Sequence, residues 1–125
     1  MTVRVLVTDD QAPFRRAART VVEATAGFEL AGEASSGEEA VALAASLRPD
    51  LILMDVRMAG IGGIEAARRI AAAHPAARTV LVSSDRAEDL PPEAWTCGAA
   101  WFVHKSEFGT AALRAASRRD TAARP

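Results

Sequence analysis

Five short runs rich in Val, Leu, Ile and aromatic residues constrain the fold of this chain more than any other feature of it: VRVLVT (3–8), FELAGEA (28–34), LILMD (51–55), TVLVSS (79–84) and WFVHK (101–105). Each has the length and residue content of a strand. Between them lie segments of helical period. Phe14, Ala17, Ala18 and Val21 follow the i, i+3, i+4, i+7 spacing behind Pro13, which suits a first helical turn, and Ala40, Leu43, Ala44 and Leu47 repeat it. Ser36 with Glu39 three residues on makes a capping box for the second helix. Ile64, Ala67 and Ala71 carry a third stripe, and the stretch from about 108 to 118 forms the last helix.

Strand and helix alternating in this way predict an α/β fold with a parallel sheet, because parallel strands need crossover connections and these place helices on both faces. The first, third and fourth runs are almost wholly apolar, as central strands covered on both sides should be. FELAGEA alternates more and suits an edge. The fourth crossover is the weak place, since Pro91-Pro92 lies within RAEDLPPEAWTCGAA. A proline inside a helix costs roughly 3 kcal/mol. The expectation there is an irregular loop over 85–90 and a short helix starting at Pro91 or Pro92, where proline is tolerated.

A chain of 125 residues that is half hydrophobic can bury one core. Its formal net charge of −1 gives no electrostatic footprint for nucleic acid, so direct DNA or RNA binding by this chain is not expected. Cys97 stands alone and cannot form an internal disulfide; a small buried filler is the expected role. The apolar run in MTVRVLVTDD is too short for a signal peptide or a membrane span, which points to a cytoplasmic protein. The final segment RAASRRDTAARP turns polar and basic, and its arginines 114, 118, 119 and 124 read as a solvated helix face and linker.

Ligands of an open parallel sheet bind outside the carboxyl ends of its strands. There the first run ends on Asp9 and Asp10, the third on Asp55, the fourth on Ser83 and Ser84, and the fifth on Lys105. A terminal Asp is often a cap or turn residue, and a Ser or Lys after a strand is commonplace. Three carboxylates, a hydroxyl and an ammonium converging on one edge have no such easy explanation. Carboxylates a few ångströms apart repel one another and call for a cation, and an all-oxygen set suits a hard ion such as Mg²⁺. For His74 and His104, surface and packing roles are expected rather than metal ligation.

VTDD, LILMDVRM, VLVSS and WFVHK, in that order, resemble the receiver domain of two-component response regulators, and the resemblance covers essentially the whole chain. It implies a flavodoxin-like (βα)5 doubly wound sheet of order 2-1-3-4-5, with a receiver domain over 1–119 and a tail or linker over 120–125. It makes Asp55 the phosphoacceptor, Asp10 a direct Mg²⁺ ligand, Asp9 a ligand largely through water, and Arg57 a ligand through its backbone carbonyl. Ser83 would bind a phosphoryl oxygen, Lys105 would pair with the phosphate, and Phe102 would be the aromatic that changes rotamer on activation. The implied partners are a sensor histidine kinase or phosphotransfer protein, with room for a homodimer and for a C-terminal DNA-binding output domain outside this chain. Several positions depart from the family's pattern. Ala59 and Gly62 replace a common proline and aspartate, which predicts a looser loop after Asp55, and Ser106 replaces a frequent proline, so a cis peptide there is not assumed.

Two other readings compete with a phosphorylated signalling switch. One is a receiver-shaped interaction or dimerisation module that works without phosphate, for which the intact acidic cluster would be a needless cost. The other is a phosphatase or phosphomutase with an aspartyl-phosphate intermediate. Such enzymes resemble DxD at the nucleophile, whereas Arg57 stands at the second position after Asp55.

Overall fold

A computed structural model of the protein describes residues 2–118. The tail 120–125, Arg119 and Arg124 lie outside the described residues. The strands are β1 (Val3–Thr8), β2 (Phe28–Ala34), β3 (Leu51–Asp55), β4 (Arg78–Ser83) and β5 (Trp101–His104). The α-helices are α1 (Ala12–Ala24), α2 (Gly37–Leu47), α3 (Gly62–Ala73) and α4 (Thr110–Ala116). The strands pair in parallel in the order β2-β1-β3-β4-β5, so FELAGEA is indeed an edge and the three most apolar runs are interior.

Strand alternation divides the core in two. Val5, Val7, Leu51, Leu53, Val80, Val82 and Val103 point to the face covered by α1 and α4, where Ala18, Val22, Leu113 and Ala116 meet them. Leu6, Ile52, Met54 and Leu81 point to the other face, under Ala40 and Ala44 of α2 and Ala66, Ala67 and Ile70 of α3. Burying each such aliphatic side chain contributes about 1.5–3 kcal/mol, which fixes the register of the strands and thereby the position of their ends.

The fourth crossover contains no α-helix. Two 3-10 turns, Ala87–Asp89 and Pro92–Trp95, stand in its place, and Pro91 directly precedes the second. The short helix expected at the proline pair is thus a single tight turn. Leu90, Ala94 and Cys97 from this segment still close the core, and Cys97 is buried as expected of a filler. Of the stripe read for α1, Ala17 is exposed, and Ala18 and Val22 carry the burial. In α3 the buried residues are Gly63, Ala66, Ala67 and Ile70, while Ile64 and Ala71 are half-buried beside them. The cap of α2 forms with a variation: Ser36 Oγ accepts the Glu39 N–H at 3.1 Å, while the Glu39 carboxylate reaches back to the Ser35 N–H at 2.7 Å. No described helix is long and apolar enough to cross a membrane.

Candidate functional site

Asp9 follows the last residue of β1, and its position is set from three sides. Its N–H donates to the Ala34 carbonyl at 3.1 Å, its Oδ1 accepts the Gln11 N–H at 2.8 Å, and its carbonyl accepts from the Arg15 guanidinium at 2.7 Å. The side chain is fully buried, whereas that of its neighbour Asp10 is exposed. Asp55 ends β3 and is 5% exposed. One oxygen from each of these three carboxylates lies within 4.8 Å of the others.

The β3–α3 junction explains how Asp55 is held. Gly63 packs so closely that a Cβ there would meet the Asp55 carbonyl oxygen at 1.9 Å, so only glycine fits. Gly62 adopts φ +78°, a left-handed conformation that glycine takes without strain. The Gly63 N–H donates to the Val56 carbonyl at 3.1 Å, and Glu38 of α2 accepts the Ile61 N–H at 3.2 Å. The loop after Asp55, expected to be loose, is therefore tied at both its helix and its strand end.

Lys105 enters from the far side. Its Nζ is 2.7 Å from Asp9 Oδ2 and 3.6 Å from Asp55 Oδ1, and it lies 4.7 Å from the centre of the Phe14 ring. Asp9 Oδ2 is buried, and its contact with the ammonium is an ion pair without an aligned hydrogen bond. The Asp55 carboxyl is pushed up to about 6, first by burial and then by the Asp9 charge; the Lys105 ammonium and a backbone hydrogen bond from Arg57 oppose the rise. A carboxylate so placed gains from any added cation, and the donor set of oxygens fits a hard one.

Ser83, at the end of β4, is buried, and its Oγ accepts the Asp85 N–H at 3.0 Å. It lines a cavity of about 180 Å³ together with Asp55, Lys105, Gln11, Arg57, Ser84 and Asp85. The Arg57 side chain turns outward and pairs with Asp85 at the rim. Of the residues read from the sequence, Asp9, Asp10, Asp55, Ser83 and Lys105 gather at one edge of the sheet. Phe102 does not join them: it packs into the α2/α3 face with Trp95 set edge-on to it, ring centres 6.0 Å apart. Trp101 lies on the opposite face. The peptide at Ser106 is trans, as are all described peptides.

Sequence reasoning gave Gln11, Phe14, Arg15 and Asp85 no role at the site, and read His104 as a surface or packing residue. Asp85 carried a faint signal, an acid two residues beyond Ser83 and within reach of Arg57 across the strand ends. Arg15 and Phe14 carried none, because a helix residue that supports a neighbouring strand end looks like any other amphipathic position.

This arrangement can be set beside known proteins. The response regulator receiver domain profile matches residues 5–118. The response regulator GacA of Pseudomonas viridiflava is 38% identical over 103 residues, a match spanning 82% of this chain and 48% of that protein. The chain thus spans about half the length of the curated relatives it matches. Among solved structures, a LuxR-family two-component response regulator from Aurantimonas sp. SI85-9A1 superposes with a TM-score of 0.83 at 30% identity, over 92% of this chain and 82% of that one. The response regulator domain of Thermotoga maritima CheB does so with a TM-score of 0.82 at 29% identity, over 97% of this chain and all of the other. With the profile covering nearly every described residue, the chain belongs to the response regulator receiver domain family.

Proposed function

We propose that Asp55 accepts a phosphoryl group from a phosphohistidine on a sensor histidine kinase or phosphotransfer protein. The observation that carries this reading is the gathering of the Asp9, Asp10 and Asp55 carboxylates within 4.8 Å, with one ammonium, Lys105, between Asp9 and Asp55. An Asp55 oxygen attacks phosphorus, an O–P bond forms as the N–P bond breaks, and the imidazole leaves with the electron pair and takes up a proton. Asp9, Asp10, Asp55 and the Arg57 carbonyl are the residues that would hold Mg²⁺, which when bound supplies positive charge to the phosphoryl oxygens.

The chain's own residues do the rest. Lys105, already 3.6 Å from Asp55, turns from Asp9 toward the added phosphoryl oxygens, and the Ser83 hydroxyl donates to another. Drawing Ser83 inward moves the loop that follows it and opens space for the Phe102 ring, which alters the surface around Trp95. The protein is a signalling switch that catalyses at most its own phosphoryl transfer and dephosphorylation. It works in the cytoplasm, and its output is a DNA-binding domain beyond this chain. Supporting that last point are the greater length of the GacA relatives and the LuxR family named for one similar structure.

Intact-mass measurement after incubation with Mg²⁺ and phosphoramidate tests the proposal. A single phosphoryl adduct is expected on the wild type, none on Asp55→Asn, and none on the wild type in excess chelator. Equal labelling of both proteins would move the chemistry elsewhere. No labelling of either would favour the phosphate-independent interaction module.

A further inference from the structure

The imidazole of His104 takes no part in the chemistry just described, yet both of its nitrogens are engaged. Nδ1 accepts the Ser106 N–H at 3.1 Å and lies 2.8 Å from the Ser106 hydroxyl, while Nε2 is 2.8 Å from the Ser84 carbonyl oxygen. An amide N–H can only donate, so Nδ1 presents its lone pair, and the hydroxyl shares it. The ring proton is then on Nε2 and is donated to the Ser84 carbonyl.

The partners are informative because of what precedes them in the chain. Ser84 directly follows Ser83, and Ser106 directly follows Lys105. The contact to the Ser106 N–H also caps the 3-10 turn Lys105–Glu107, which begins on the lysine itself. The last pair of the β4–β5 ladder is Ser83 with His104, so the ring acts just where sheet pairing between these strands ends. The crossover joining the two strands has only 3-10 turns, so no α-helix helps to hold its start against β5.

We propose that His104 is a positioning residue, a neutral imidazole strap that holds the Ser83 and Lys105 backbones in register over Asp55. This inference rests on the phosphoacceptor reading. Losing the strap lets the two donors drift relative to the carboxylate and slows phosphoryl uptake, while leaving the Asp9, Asp10 and Asp55 cluster as it is.

Time courses of phosphoryl uptake from phosphoramidate, read by intact mass over a range of Mg²⁺ concentrations, test it on the wild type, His104→Ala and His104→Gln. His104→Ala is expected to lower the maximal rate roughly fivefold, as for the loss of one ordinary hydrogen bond. Its half-saturating Mg²⁺ concentration should stay at the wild-type value. His104→Gln, whose amide can still donate to the Ser84 carbonyl, should recover most of the rate. Equal maximal rates in the wild type and His104→Ala overturn the inference. So does a slowed His104→Ala whose Mg²⁺ dependence shifts in step, or a His104→Gln no faster than His104→Ala. A wild type that takes up no phosphoryl group defeats the phosphoacceptor reading itself, and the strap with it, a result distinct from any difference among variants.

Discussion

Asp9 and Asp55 extend from the interior strands β1 and β3; Asp9 is held through its N–H, its carbonyl and its Oδ1, and Asp55 by the close packing of Gly63 on its carbonyl. Ser83 comes from β4, also an interior strand, and Lys105 follows the edge strand β5; the segment connecting these two strands has no α-helix. The acidic half of the site is thus set by the core. The donor half is set by side chains: the Ser83 hydroxyl on the Asp85 N–H, the Arg57–Asp85 pair, and the His104 ring. On the proposed reading this asymmetry suits a switch, because a group that receives a phosphoryl must stay in place while the groups that sense it move.

The largest effect is expected from disturbing the acidic half from behind. Gly63→Ala drives a methyl group into the Asp55 carbonyl and is expected to cost about 3 kcal/mol, measured by urea unfolding. An unchanged midpoint would show that this junction yields as readily as the donor side. Next in size, Lys105→Ala should slow phosphoryl uptake roughly 10- to 100-fold, the loss of a charge-assisted contact of about 1.5–3 kcal/mol. Uptake at the wild-type rate would mean that the donor half is dispensable.

Asp55→Asn probes the electrostatics of the metal-free protein. The folded-state value of about 6 lies above the ordinary 3.8, so the native state prefers the protonated carboxyl. The contribution of Asp55 to stability is then fully present below pH 3.8 and is lost as the pH rises through about 6. Replacing it by Asn in chelator should stabilise the fold by on the order of 2 kcal/mol above about pH 7, and the gain should fade on acidification. A gain independent of pH would assign the effect to packing instead. The smallest effect belongs to the irregular crossover: Trp95 is 39% exposed, so Trp95→Ala should cost no more than about 1 kcal/mol in the same unfolding assay. A larger loss would show that this segment is packed as tightly as a helix.

The strand boundaries and the edge position of β2 were legible because buried parallel strands are written as apolar runs, and a run must stop where the core stops. The same logic drew attention to Asp9, Asp55, Ser83 and Lys105, polar residues where such runs end. The proline pair marked the fourth crossover as the weak place, but the short helix expected to start there is only a 3-10 turn, since proline forbids a conformation without naming its successor. Two features were invisible for a common reason. The grip of Arg15 on the Asp9 carbonyl and the bonds of His104 to the Ser84 carbonyl and the Ser106 N–H join a side chain to distant or unpatterned backbone, which leaves no mark in a sequence.

The lodging of the Lys105 ammonium against Asp9, above the Phe14 ring, has a consequence for charge balance. The hollow carries its own counter-ion, so the acidic residues are partly neutralised by a tethered charge that never diffuses away. Crowding three carboxylates at one edge thus costs the fold less than their number suggests, because one neighbour is a cation supplied by the chain itself.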